Sequence, residues 1–143
     1  MLRESVSPAV ILVVDDDEVV ARVVAGFLRH LGYTVLEATS GDQALAIVQW
    51  RQPPIDLVLS DAVLRRRGGL DGSEFTAALL GEWPGPQLIL FAGPPPEAVE
   101  PLGVQGRGIR VVRKPLHLDQ LADLLREMLP PLLPVGEAPG IAS

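Results

Sequence analysis

Five charged side chains in this sequence lie just beyond the ends of short apolar runs, where a parallel α/β sheet presents its ligand-binding groups. They are Asp15, Asp16, Asp17, Asp61 and Lys114. Carboxylates that converge in one crevice repel each other, by ~1 kcal/mol per pair at about 4 Å in water and ~4 kcal/mol at an effective dielectric constant of 20. Such a cluster persists only with a cation bound or with raised pKa values. These residues therefore predict a cation-binding site.

The donor atoms indicate the kind of cation and the kind of reaction. The cluster contains no His or Cys, so its ligands are oxygen atoms. Oxygen ligands suit Mg²⁺, which keeps several of its waters. A divalent ion, the Lys114 ammonium and the Asp61 carboxylate would form a site that accepts a phosphoryl group. Asp61 would attack in line, while the metal and Lys114 would neutralise charge on the equatorial oxygens.

Five apolar runs, rich in β-branched and aliphatic residues, indicate strands, of which the third and the fourth are expected to be buried. These runs are residues 9–14, 33–38, 55–60, 87–92 and 109–113. An isolated aspartate after a strand often only caps a turn. Here charged groups follow the first, third and fifth strands, and this repetition favours a shared site.

The segment after the acidic residues is predicted to be an amphipathic helix, because apolar residues recur at spacings of three and four. The residues expected on its buried face are Val20, Val23, Val24, Phe27 and Leu31. Asp17 is expected to help start this helix. Gly32 is suited to a left-handed cap at its end.

Three further helices are predicted from start signals and apolar spacing. Residues 40–43 have the form of a capping box, with Gln43 three residues after Ser40. Residues 71–74 make another helix start, and an apolar face over residues 118–129 predicts the last helix. Between the fourth and fifth strands, proline and glycine leave room for only a short or broken helix.

The alternation of these elements predicts an α/β fold. Strands that alternate with helices form a parallel sheet with right-handed crossovers and helices on both faces. Five strands suit the flavodoxin-like, doubly wound order 2-1-3-4-5, whose switch point lies between strands 1 and 3. Those are the strands that Asp15 and Asp61 follow, so topology and charge predict the same crevice.

Length and composition indicate a globular domain. The chain has 143 residues, 48% hydrophobic and 21% charged, with no cysteine and a formal net charge of −6. The negative charge argues against broad nucleic-acid binding. The lack of a membrane-length apolar run argues against a membrane span. A cytoplasmic location is expected. Residues 9–129 are expected to form the domain and residues 130–143 a Pro/Gly-rich tail or linker. The basic run Arg65, Arg66 and Arg67 is expected in a solvated loop.

Four segments together resemble the receiver domain of bacterial two-component response regulators. ILVVDDDEVV is similar to its first strand and acidic pair, DLVLSD to its phospho-acceptor strand, LDGSEF to the start of its third helix, and RVVRKPLHLDQL to its lysine-proline segment and final helix. The resemblance covers roughly residues 9–129. Acidic pair, acceptor aspartate and Lys-Pro occur together at fitting separations, and that combination is specific.

The resemblance implies a role for each matching residue. Asp61 would be the phosphorylated aspartate, with Lys114 contacting the acyl phosphate. Asp16 would ligate Mg²⁺ directly and Asp15 through water, and the backbone carbonyl of Val63 would complete the protein ligands. Pro115 would follow a cis peptide bond.

The resemblance also implies partners and a type of activity. The phosphoryl donor would be a sensor histidine kinase or a histidine phosphotransfer protein. The domain would catalyse its own phosphorylation and dephosphorylation and would not be an enzyme that acts on a separate substrate.

Several positions depart from the family pattern. Ala92 stands where a Ser or Thr usually ends the fourth strand, and Val111 stands where an aromatic residue usually precedes the lysine. Arg65 replaces a common proline, in a segment longer than usual. The phosphorylation residues are therefore complete, while the residues that usually transmit the signal are altered.

Two other interpretations fit part of this pattern. A haloacid-dehalogenase-type phosphatase has an apolar strand followed by Asp-x-Asp, which Asp15 and Asp17 satisfy, but no later acidic pair serves its metal and Asp61 would have no role. A phosphorylation-independent pseudo-receiver would keep the fold as an interaction module. Ala92 and Val111 favour this second alternative, and the complete acidic set with Lys114 opposes it.

Overall fold

The computed structural model describes residues 8–50, 54–61, 72–80, 86–92, 109–115 and 117–131. Within these ranges, five parallel strands form one sheet in the order β2-β1-β3-β4-β5. The strands are β1 (Val10–Val14), β2 (Thr34–Ala38), β3 (Leu57–Asp61), β4 (Gln87–Ala92) and β5 (Ile109–Arg113). The predicted flavodoxin-like fold and strand order are confirmed.

Four helices accompany the sheet in the described part of the chain. They are α1 (Glu18–Leu31), α2 (Gly41–Trp50), α3 (Gly72–Leu80) and α4 (Leu118–Met128). None of these helices is long and apolar enough to cross a lipid bilayer. The short or broken helix predicted between β4 and β5, the arginine run Arg65, Arg66 and Arg67, and most of the predicted tail lie outside the described residues.

The central strands β1, β3 and β4 are largely buried on both faces, which explains why they are continuous apolar runs. In β5, Ile109 and Val112 are half-buried and the other three residues are exposed. Alternate strand residues enter two separate core clusters. On one face they pack with residues of α2 and α3, including Ala44, Phe75 and Leu79. On the other face they pack with residues of α1 and α4, including Leu28, Leu121 and Leu125. The sheet thus packs between two layers of helices.

The buried face of α1 differs from the predicted one. Its buried residues are Ala21, Val24, Ala25 and Leu28. Val20 and Val23 were predicted to be buried and are instead 42% and 57% exposed, so that prediction was wrong for both. Two alanines on the inward face, at a spacing of four, let the helix lie close to the sheet. Val20 and Val23 lie on the side of α1 that the spacing of large apolar residues had predicted to face the sheet.

Both ends of α1 are capped as predicted. The Asp17 carboxylate accepts hydrogen bonds from the backbone N–H groups of Val19, at 2.9 Å, and Val20, at 3.3 Å. Gly32 has φ of 111°, a left-handed conformation that favours glycine, and its N–H donates to the carbonyl of Arg29. The caps set the limits of the helix that leads away from the acidic residues.

The start of α2 is a variant of the predicted capping box. Ser40 Oγ accepts a hydrogen bond from the N–H of Gln43 at 3.1 Å, as expected. The Gln43 side chain, however, accepts from the N–H of Thr39 at 2.9 Å, one residue before the expected donor. The reciprocal bond therefore secures the end of the β2–α2 connection as well as the helix.

Asp56 joins three strands at the edge of the sheet opposite the acidic residues. Its carboxylate accepts from the N–H of Val10 at 2.8 Å, and its own N–H donates to the carbonyl of Val10 at 2.9 Å. Its carbonyl accepts from the N–H of Gln87 at 3.1 Å. This arrangement aligns the starts of β1, β3 and β4. The register that follows pairs Val14 with Ser60, so Asp15 and Asp61 come next at the same level.

Candidate functional site

The carboxyl ends of β1, β3 and β5 surround a crevice with a volume of about 360 Å³. Its lining residues are Val13, Val14, Asp15, Asp16, Asp17, Val20, Val24, Leu59, Asp61, Phe91, Lys114 and Pro115. The predicted acidic residues and Lys114 are therefore brought together in one place. The apolar wall of the crevice consists of lining residues from β1, β3, β4 and α1 together with Pro115, which follows β5.

Asp61 and Lys114 form an ion pair in this crevice. Lys114 Nζ lies 2.8 Å from Asp61 Oδ2. The Asp61 side chain is 12% exposed and that of Lys114 is 43% exposed, so the carboxylate is enclosed while the ammonium remains in contact with water. A charge-assisted hydrogen bond of this length is among the stronger polar contacts in proteins. The Lys114–Pro115 peptide bond is cis.

The pKa of the Asp15 carboxyl group is raised above its ordinary value. Burial raises the pKa of its carboxyl group, and the neighbouring carboxylates of Asp61 and Asp16 raise it further. The backbone N–H of Asp17, which donates to Asp15 Oδ1 at 2.9 Å, and the Lys114 ammonium act in the opposite direction on this pKa. The net direction is upward. Burial is the largest cause, and the neighbouring carboxylates act in the same direction.

The donor chemistry of the crevice fits a hard divalent cation. Asp15, Asp16 and Asp61 supply oxygen atoms, and the repulsion that raises the pKa of Asp15 is an interaction that a cation would relieve. Among the described residues, no group of three or more carboxylate or imidazole side chains is already arranged to hold an ion. Mg²⁺ needs no closed cage, because it binds through few protein oxygens and retains water. Val63, the remaining predicted ligand, lies outside the described residues.

Ala92 and Val111 lie on adjacent strands. Ala92 is the last residue of β4 and pairs with Arg113 of β5. Val111 pairs with Leu90, and its side chain is 45% exposed. Ala92 thus stands one residue beyond Phe91, which pairs with Asp61. Neither residue carries a hydroxyl or an aromatic ring.

The apolar wall of the crevice is the part that sequence reasoning missed. Leu59, Phe91 and Val24 were expected only as core residues, yet they also line the crevice. The signal for Leu59 was available, since it lies two positions before Asp61 and so faces the same side of β3. No comparable signal exists for Val24, because the position of α1 over the strand ends depends on packing.

This fold and this crevice define a class of domain: a flavodoxin-like sheet with carboxylates at its switch point and a lysine at the end of its last strand. The chain belongs to the response regulator receiver domain family, whose profile matches residues 11–126. The family is that of two-component signalling, as the resemblance implied. Membership of this family displaces the haloacid-dehalogenase-type alternative.

Individual relatives agree with this family. The chain is 34% identical over 132 residues to the probable transcriptional regulatory protein TcrX of Mycobacterium tuberculosis, covering 90% of this chain and 53% of TcrX. It is 31% identical over 121 residues to the sensor kinase CckA of Brucella abortus, covering 85% of this chain and 12% of CckA. The chain therefore spans about half of the first relative and a small part of the second.

A solved structure shows the same architecture. The signal receiver domain of an HD domain-containing protein from Pseudomonas fluorescens Pf-5 superposes with a TM-score of 0.73 and 30% identity. The match covers 85% of this chain and 94% of that domain. The fold described above is therefore similar to that of a receiver domain almost along its whole length.

Proposed function

We propose that this receiver domain accepts a phosphoryl group on Asp61 from a phosphohistidine of a sensor histidine kinase or a histidine phosphotransfer protein. The observation that carries the proposal is the 2.8 Å contact between Asp61 and Lys114 in the crevice that Asp15 and Asp16 also line. An enclosed carboxylate beside one fixed ammonium and two further carboxylates is suited to phosphoryl transfer with a divalent ion.

In the proposed reaction, an oxygen atom of Asp61 forms a bond to phosphorus as the bond between phosphorus and the donor's imidazole nitrogen breaks. The imidazole leaves with the electron pair of that bond, and the phosphoryl group becomes a mixed anhydride on Asp61. Lys114 exchanges its contact with the Asp61 carboxylate for one with a phosphoryl oxygen. The reverse fate, hydrolysis of the anhydride by water, returns Asp61 to a carboxylate and releases phosphate.

Mg²⁺ is the cofactor that this proposal requires. Asp16 would hold it directly, Asp15 through a water molecule, and Asp61 and the carbonyl of Val63 would complete the protein ligands. When bound, the ion supplies positive charge beside the equatorial phosphoryl oxygens. The chain's own contribution is to keep these carboxylates at the ends of two paired strands, as the register of Val14 with Ser60 does.

We propose in addition that residues 9–129 form the receiver unit and residues 130–143 a tail or linker. The domain would signal in the cytoplasm and would act on no separate substrate, apart from catalysing its own phosphorylation and dephosphorylation. The net charge of −6 argues against nucleic-acid binding by this chain. TcrX is named a transcriptional regulator, but this chain covers 53% of it, so we carry no output over from it.

A second candidate function is an interaction module that works without phosphorylation. The observations that favour it are Ala92 and Val111, which lack the hydroxyl and the aromatic ring of a standard read-out. An NMR titration with beryllofluoride and Mg²⁺, which together imitate an aspartyl phosphate, separates the two functions. We expect amide shifts centred on residues 15, 16, 61 and 114 that disappear on chelation. Spectra that remain unchanged would favour the interaction module.

A further inference from the structure

We propose that Asp17 is a positioning residue for the divalent-ion site, because it holds the Asp15 carboxylate in place by linking it to the start of α1. Neither the capping of a helix nor the acidic pair by itself implies this role. The inference rests on the proposed function, since it concerns the same Mg²⁺ site.

Asp17 has two sets of contacts that connect the site to the helix. Its backbone N–H donates to Asp15 Oδ1 at 2.9 Å. Its side-chain Oδ1 accepts from the N–H of Val19 at 2.9 Å and of Val20 at 3.3 Å. Its carbonyl accepts from the N–H of Ala21 at 3.0 Å. One residue thus holds the Asp15 carboxylate through its N–H and the first turn of α1 through its carboxylate.

The direction of the Asp17 N–H depends on the helix cap. Asp17 has extended backbone angles, φ of −95° and ψ of 107°, which the cap stabilises against fraying of the first turn. Without the cap, the N–H of residue 17 is no longer held toward Asp15, and the Asp15 carboxylate loses the hydrogen bond that this group donates at 2.9 Å. A carboxylate that binds the ion through water contributes to metal affinity only when it is held in the right orientation, as is known for the groups around metal ligands.

A competing explanation is that Asp17 acts through its charge. Asp17 lines the crevice and is exposed, so a third carboxylate could attract a cation without orienting anything. The two explanations differ for a neutral side chain that still caps a helix. Asn and Ser cap as well as Asp does, whereas Ala does not.

The experiment compares Asp17→Ala, Asp17→Asn and Asp17→Ser, with Glu18→Gln as the matched control for loss of one nearby charge. Mg²⁺ affinity is measured by titration of backbone amide shifts, without any phosphoryl donor. We expect Asp17→Ala to bind Mg²⁺ about tenfold more weakly, at the lower end of outer-shell effects. We expect Asp17→Asn, Asp17→Ser and Glu18→Gln to stay within about twofold of the wild type, since surface charges are screened.

A second readout does not involve the metal. In the presence of EDTA, hydrogen exchange of the residue 17 amide should be fast in Asp17→Ala and slow in the wild type and in the Asn and Ser variants. Equal losses of Mg²⁺ affinity in Asp17→Asn and Asp17→Ala would overturn the inference in favour of charge, and an unchanged affinity in a folded Asp17→Ala would overturn it outright. A wild-type protein that binds no Mg²⁺ would instead overturn the proposed function itself, and with it this inference.

Discussion

Lys114 reaches Asp61 across a strand that lies between them. Asp61 ends β3 and Lys114 follows β5, while β4 separates these strands in the sheet. The 2.8 Å contact between Lys114 Nζ and Asp61 Oδ2 spans the end of β4 at Phe91 and Ala92. The pair therefore depends on the relative positions of three strands.

Replacing Lys114 by Ala should strengthen Mg²⁺ binding. The ammonium competes with a cation for the Asp61 carboxylate, and a unit charge a few ångströms away in water-like surroundings contributes ~1 kcal/mol. We expect an increase in Mg²⁺ affinity of about two- to fivefold at low salt, which that energy corresponds to. Amide-shift titration measures it, with Arg113→Ala as a control for loss of a neighbouring exposed cation. A fall in affinity would show that Lys114 has a structural role and is not a phosphate partner.

Replacing Asp15 by Asn should stabilise the metal-free protein at neutral pH. Burial and the carboxylates of Asp61 and Asp16 raise the pKa of Asp15 above its ordinary value of 3.8. Between pH 3.8 and the folded-state pKa, the folded state therefore binds more protons than the unfolded state. Wild-type stability therefore falls as the pH rises from 3.8 through the folded-state pKa. The variant lacks this loss, and since the crevice is open to water the gain should be below about 1 kcal/mol.

Urea unfolding in EDTA, at neutral pH and again below pH about 4, checks this sign. The difference between Asp15→Asn and the wild type should be positive at neutral pH and should vanish in acid. Asp123→Asn, which alters an exposed carboxylate paired with Arg126, serves as the control. A variant that is less stable than the wild type at neutral pH would contradict the repulsion described for the crevice.

Replacing Asp56 by Ala should destabilise the sheet at its amino-terminal edge. The variant removes the 2.8 Å hydrogen bond from the N–H of Val10 to a carboxylate, a contact worth about 1–2 kcal/mol when partly exposed. Chemical unfolding measures the loss. The control is Asp123→Ala, which removes an exposed ion pair on α4. It should change stability by less than about 0.5 kcal/mol. Equal effects of the two substitutions would show that the Asp56 carboxylate does not stabilise the start of β1.

Sequence patterns predicted the strands and the charged groups at their ends because both are visible in residues that are adjacent along the chain. A strand that ends on a carboxylate is visible in the residues themselves, and topology then brings Asp15 and Asp61 together. The buried face of α1 was predicted wrongly because alanine at positions 21 and 25 carries little hydrophobic signal, although its small size is what packing selects. The role of Asp56 could not be predicted, since its partner Val10 is 46 residues away and the contact follows from strand register.

The response to phosphorylation along β4 and β5 should be small. Ala92 offers no hydroxyl to a phosphoryl oxygen, and one hydrogen bond to a charged group is worth roughly 1.5–3 kcal/mol. A ligand shifts a conformational equilibrium only by its differential affinity for the two states. Shift mapping with beryllofluoride should show changes near Asp61 and few across residues 94–113. Ala92→Thr should enlarge the response, and large shifts in the wild type would reveal a switch that works without the hydroxyl.

The position of the phosphoryl group is the most direct test of the proposed function. After incubation with acetyl phosphate and Mg²⁺, we expect mass spectrometry of the digested protein to find the group on the peptide that contains Asp61. Asp61→Asn should abolish the modification, EDTA should do the same, and the control Asp123→Asn should keep it. A phosphoryl group on Asp15, or undiminished modification of Asp61→Asn, would contradict the assignment of Asp61 as the acceptor.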